Sequence, residues 1–175
     1  MKKQFTVKNI VLAAFFIALG FVLPFLTMQI PSIGSMLLPM HIPVIIAGFV
    51  CGGPIGAVVG FIVPLLRSAL LGMPPMFPTA IAMAFELATY GLVAGLAYQW
   101  LPKKPVYIFV SLILSMLVGR VVWGVVTAIL MGVSGNAFGM AAFVAGAFTN
   151  AIPGIILQLV LIPIIVISLQ KTRRI

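Results

Sequence analysis

The chain has 175 residues, 63% of them hydrophobic and 6% charged, with a mean hydropathy of +1.34. A water-soluble domain carries roughly a quarter charged residues, so that class is excluded and the chain is an integral membrane protein of one domain. The net charge is +9, but the ten Lys and Arg form short clusters between apolar runs rather than a patch interleaved with aromatics, which argues against nucleic acid as a partner.

Crossing about 30 Å of hydrocarbon takes about 20 residues at 1.5 Å each. On that measure the apolar runs predict six transmembrane helices, over 10–27, 36–51, 55–72, 78–101, 106–131 and 147–169. The N-terminal M-K-K-Q-F-T-V-K-N precedes the first run, and no cleavage site with a polar mature region follows, so the run reads as a retained span. Gln29 to Gly34 is a loop, and Gly52-Gly53-Pro54 ends the short second run. The third run stops at Gly72, where M-P-P-M-F-P makes a turn into the fourth. Pro102-Lys103-Lys104-Pro105 separates the fourth from the fifth, and Gly132 to Asn136 ends the fifth. The remainder, 137–169, is too long for one straight span and is interrupted at Asn150 and Pro153-Gly154. It predicts a short outer segment and then the sixth span. Backbone groups in lipid must satisfy one another, so the fold is all-α. Cys51 is the single cysteine, which excludes a disulfide within the chain and a Cys-based metal site; no cofactor is expected.

Six spans place both termini on one side. Lys2, Lys3, Lys8, Lys103, Lys104, Lys171, Arg173 and Arg174 then share that side, and the positive-inside rule makes it cytoplasmic.

Among the polar side chains within or at the edges of spans, five stand out: His41, Arg67, Glu86, Arg120 and Asn150. A charge at the bilayer centre costs roughly 2.5–3.5 kcal/mol or more unless it is paired or faces water. Arg67 is expected about 8 Å from the outer end of its span, and Glu86 about 10 Å below the same surface. Glu86 is the only carboxylate side chain in the protein. The two opposite charges at similar depth read either as a buried ion pair fixing the third and fourth spans or as the wall of a pocket open to the outside. His41 and Asn150 lie near outer ends, and Arg120 near mid-membrane. His41 in L-P-M-H-I-P serves a ligand or a backbone carbonyl; Arg120 serves a ligand or stacks on Trp123; Tyr90 and Trp123 are ligand contacts or packing. Met36, Met40, Met73, Met76 and Met83 cluster at outer ends, where thioethers adapt to a small organic molecule or fill gaps.

Small residues form a second pattern. Ala14 and Ala18 give A-x-x-x-A on the first span, while Gly48, Gly52, Gly56, Gly60 and then Gly91, Gly95 recur every fourth residue. Such spacing lets helix backbones approach closely, and the ladder across Pro54 is expected to tighten the second and third spans. No Gly is followed by Lys, so a phosphate-binding loop is missing and the chain does not hydrolyse ATP itself. Neither H-E-x-x-H nor G-x-S-x-G occurs. One carboxylate is few for a proton-driven transporter. The chain therefore reads as a binding protein rather than an enzyme. Its rivals are a structural subunit with a buried Arg–Glu pair and, less favoured, an intramembrane enzyme using His41 and Glu86.

The whole chain resembles the substrate-binding S components of energy-coupling factor (ECF) vitamin transporters. The resemblance rests on size, six spans, inside termini, the Ala14–Ala18 motif, and the blocks L-P-M-H-I-P-V (Leu38–Val44), P-L-L-R-S (Pro64–Ser68) and F-P-T-A-I-A-M-A-F-E-L-A-T-Y-G (Phe77–Gly91). It implies a subunit of a prokaryotic plasma membrane that captures a vitamin from outside. Ala14 and Ala18 would dock it on a transmembrane T subunit, with two ATPases driving the complex. Arg67 would then bind an anionic group, Glu86 would position Arg67 or accept a hydrogen bond, and His41, Asn150, Tyr90, Arg120 and Trp123 would supply further contacts. The segments Gln29–Leu37 and Met73–Pro78 would close over the cargo. Pantothenate ranks first as cargo, and vitamin B6 or a hydroxymethylpyrimidine second.

Overall fold

The computed structural model describes residues 6–27 and 36–171. Its elements are α1 (Val7–Val22, running on as a 3₁₀ turn Leu23–Thr27), α2 (His41–Cys51), α3 (Gly53–Leu71), a π turn Met76–Ala80 leading into α4 (Ile81–Trp100), α5 (Pro105–Val133), α6 (Met140–Val144), a second π turn Ala145–Thr149, and α7 (Ile152–Lys171). No strand occurs among the described residues. α1, α3, α4, α5 and α7 are long and apolar enough to cross a membrane, and α2 is a shorter apolar helix. The chain is a multi-span helical membrane protein.

The helix ends follow local chemistry. Thr6 caps α1, its Oγ1 accepting from the Asn9 N–H at 3.3 Å. Gly72 ends α3 in the left-handed region at φ 68°, which carries no steric cost without a Cβ. Pro105 opens α5, where its missing N–H would have had no partner.

Long-range contacts fix the directions. Gln170 Nε2 donates to the Tyr98 hydroxyl at 2.6 Å at one end of the bundle. At the other, Gly154 packs on the backbone of Met36 and Leu37. Lys8, Lys103, Lys104 and Lys171 gather at the first, basic end; the opposite end carries Gly72 to Ala80 and is called the turn end. Lys2, Lys3, Arg173 and Arg174 lie outside the described residues, as do residues 29–35 of the expected closing segment.

α4 is the central helix. It packs against α2, α3 and α5, while α1 lies along α2 and α3, and α7 along α2 and α5. Glycine makes this possible. A Cβ on Gly56 would lie 2.7 Å from Gly48 Cα and 2.8 Å from Gly91 O, so side chains there would force three backbones apart. The ladder thus joins α2, α3 and α4, one helix more than the second and third spans alone. It also sets a register: Gly53 faces Gly95, Gly56 faces Gly91, and Gly60 faces Leu87. Each step up α3 is matched by a step back along α4, which puts Arg67 level with Ala80. That is six residues, or about 9 Å, nearer the turn end than Glu86.

α2 has 11 residues and rises only about 16 Å from its basic end. It therefore begins part-way through the bundle, after a non-helical stretch in which Leu38 adopts φ 51°. Irregular backbone at membrane depth is tolerated where protein or a polar cavity surrounds it. Met40 and His41 are both buried there.

Candidate binding site

Three helices converge on Glu86. It projects from the central helix α4 and is 1% exposed. Arg120 of α5 brings Nη1 to 2.9 Å from Glu86 Oε1, and His41, the first residue of α2, brings Nε2 to 3.6 Å from the same oxygen. Tyr90 lies one turn along α4, on the same face as Glu86. Its ring centroid is 5.2 Å from that of His41. The Tyr90 ring packs closely on α5 because residue 119 there is glycine; a Cβ would run into the ring.

The cluster is polar in excess of what it satisfies. The Arg120–Glu86 approach is close, but its angles do not make a hydrogen bond, so the contact is Coulombic. Glu86 Oε1, Arg120 Nε and Nη2, and both His41 ring nitrogens are buried without a hydrogen-bond partner among the described residues. The same holds for Ser68 Oγ, Thr127 Oγ1 and Gln158 Nε2. Proteins bury few such groups, because each costs about 1–3 kcal/mol of desolvation. The helix register places them. Gly119 faces Tyr90, so Thr127 lies level with Ala82 of α4, and Ser68 level with Thr79. The unspent groups on α3 and α5 therefore run from Glu86 towards the turn end. Gln158 sits one turn below Gly154, which packs just ahead of His41 in the chain. Ser68, Thr127 and Gln158 escaped the sequence reading because hydroxyls and a lone amide are common in apolar helices. Gln158 was the detectable one, as the only amide side chain in the middle of the last span.

Arg67 does not pair with Glu86, so of the two readings of these charges the buried ion pair fixing the third and fourth spans is not the one found, and the two do not share a depth. Its Nη1 donates to Phe21 O at 2.7 Å, and its guanidinium lies 6.0 and 5.2 Å from the Phe21 and Phe25 ring centroids. The reason is local. Where α1 tightens into its 3₁₀ turn, the donor three residues on from Phe21 is Pro24, which has no N–H. Arg67 donates to that carbonyl, and the two aromatic faces solvate the charge.

The other expected site residues divide. Trp123 packs against Phe138 and Phe143, at ring distances of 5.9 and 6.3 Å, and against Gly146. Asn150 is exposed at the turn into α7, its backbone N–H donating to Ala145 O at 2.9 Å. The structure thus brings His41, Glu86, Tyr90 and Arg120 together and leaves Arg67, Trp123 and Asn150 outside that cluster. Ala14 and Ala18 are exposed on α1, whose buried residues are Phe16 and Gly20. Met40 is buried, whereas Met36, Met73 and Met76 are exposed at the turn end. No group of three His, Cys, Asp or Glu side chains able to hold a metal occurs among the described residues.

Fold and cluster together define a multi-pass helical membrane protein with buried ionisable groups gathered where the short helix α2 begins. The family model described as "ECF transporter, substrate-specific component" matches residues 8–166, and the chain belongs to that family. It is a substrate-binding subunit of an ECF transporter, a class distinct from the ATPase subunits with which it associates. No curated protein and no solved structure matches the chain.

Proposed function

We propose that this subunit captures a small water-soluble vitamin or vitamin precursor in a site centred on His41, Glu86, Tyr90 and Arg120, and delivers it through a T subunit and two ATPases. The observation that carries the reading is the buried cluster itself. A purely structural ion pair calls for two partners and no surplus, whereas this one leaves Arg120 and His41 with hydrogen-bonding capacity unspent. The surplus extends towards the turn end, which faces outside in the topology the lysines support: six spans with both termini cytoplasmic, in a prokaryotic plasma membrane. Ser68, Thr127 and Gln158 would add hydrogen bonds, and Trp123 and Asn150 would border the entrance beside the Met73–Pro78 turn.

The exposed Ala14 and Ala18 support docking of α1 on the T subunit, because small side chains on a free helix face allow close backbone approach. Arg67 holds the far end of that same helix. Its charge is spent on Phe21 O and two aromatic rings, so the anion-binding role passes to Arg120. An acid such as pantothenate remains the first candidate cargo, and vitamin B6 or a hydroxymethylpyrimidine the second.

A thermal-shift screen of the water-soluble vitamins on the purified chain, without ATPases, tests the proposal. One vitamin should raise the melting temperature in a dose-dependent way. No response across the set would favour a structural subunit, and turnover of a compound by the chain alone would favour an enzyme.

A further inference from the structure

The unspent atoms of Arg120 form a pattern. Nη1 is engaged by Glu86 at 2.9 Å, and the buried nitrogens without partners are Nε and Nη2. Those two lie on one edge of the guanidinium plane, with N–H bonds pointing the same way. That edge is a side-on fork, which matches the two oxygens of a carboxylate. Arg120 is 4% exposed and sits in an apolar bundle, so its orientation is held by the helices rather than by solvent.

Charge balance then constrains what happens at His41. Glu86 and Arg120 cancel, and a carboxylate seated on the fork would leave one net negative charge buried, which is costly. His41 can remove it. Both of its nitrogens are buried and unpartnered, and Nε2 is 3.6 Å from Glu86 Oε1, so an imidazolium there would face a carboxylate at once. The ionisable groups that face His41 are Glu86 and Tyr90 from α4 and Arg120 from α5. Among the described residues α1, α3 and α7 present none to it, since Arg67 of α3 is turned to Phe21 on α1.

We infer that the cargo is a monocarboxylate read side-on by Nε and Nη2 of Arg120, and that its binding takes up one proton at His41. This rests on the capture function proposed above and narrows it to a substrate class with a pH dependence. The balance is simple: the free site, the carboxylate anion and one proton give a complex whose buried charges sum to zero. The bound acid thereby selects against its own neutral amide or alcohol, which would leave the fork half used. Affinity should fall about tenfold for each unit of rising pH, over the range where His41 is neutral in the free protein and protonated in the complex.

The experiment uses purified full-length protein in detergent and pairs of vitamins that differ only at the carboxylate: pantothenate with pantothenol, and nicotinate with nicotinamide. Melting temperatures identify the binding member, and titration calorimetry in buffers of different ionisation enthalpy counts protons per ligand bound. The expected result is that an acid binds, its neutral partner binds at least tenfold more weakly, and one proton is taken up. Arg120→Lys keeps the charge beside Glu86 but has no fork; it should weaken the acid at least tenfold while the ligand-free melting temperature stays close to wild type. Glu86→Gln should still bind the acid, with proton uptake falling towards zero because Arg120 alone now balances it. Equal binding of acid and neutral partner, zero uptake by the wild-type protein, or a vitamin outside the acids as the sole binder would overturn the inference and leave the capture function standing. Absence of binding by any vitamin would remove both.

Discussion

The assignment of Glu86 to Arg120 rather than to Arg67 can be tested by two double-mutant cycles. In the first, Glu86→Gln and Arg120→Gln are combined; in the second, Glu86→Gln and Arg67→Gln. Arg120 and Glu86 are 2.9 Å apart and 4% and 1% exposed, so either single change strands a buried charge and should cost about 3–5 kcal/mol. The double variant strands neither and should cost no more than either single change, so the coupling between the two sites should reach about 3 kcal/mol or more. Arg67 lies about 9 Å nearer the turn end and bonds a carbonyl of α1. Its loss should cost about 1.5–3 kcal/mol through the hydrogen bond to a charged donor, yet add to the Glu86 change within about 0.5 kcal/mol. Unfolding free energies from titration of detergent micelles with denaturing detergent supply the four values of each cycle. A coupling above about 1 kcal/mol in the Arg67 cycle, with none in the Arg120 cycle, would refute the geometry.

Two other substitutions probe the scaffold and the docking face. Gly91→Leu drives a side chain into the Gly56 backbone, where nothing can yield but the helix spacing; it should destabilise the chain by more than the roughly 1–3 kcal/mol of ordinary overpacking, read as a lowered melting temperature and reduced yield. Ala14→Trp with Ala18→Trp changes exposed positions only, so ligand-free stability and vitamin binding should hold while uptake by cells carrying the complete transporter is lost. Normal uptake by that variant would rule out docking through this face.

Much of the architecture was legible in the hydropathy pattern, for a physical reason. Lipid forces each apolar run into a helix, and Gly72 and the Pro102–Pro105 turn mark where runs end, while Pro153-Gly154, expected as an interruption, lies in the first turn of α7. What the pattern lacks is rotation. α4 and α5 are apolar around most of their circumference, so their sequences do not say which face Glu86 or Arg120 turns to which neighbour. The expectation that Arg67 and Glu86 shared a depth came from counting residues back from the turn, as though both helices began at one height. The π turn Met76–Ala80 offsets them. A better ruler was present in the sequence: the glycines of α3 and α4 share a four-residue spacing, and matching Gly56 to Gly91 already sets Arg67 beyond Glu86. The attraction of Arg67 to Phe21 was out of reach, because it depends on which face of α1 lies against α3.

If the chain alone binds a vitamin at the His41–Glu86–Arg120 cluster, loss of His41 must weaken that binding. Equilibrium titration of the vitamin that most stabilises the purified protein, compared between wild type and His41→Ala, tests it most directly. One site per chain is expected with no ATPase or T subunit present, and at least a tenfold loss of affinity in His41→Ala. Saturable binding that is unchanged in His41→Ala would place the site away from this cluster.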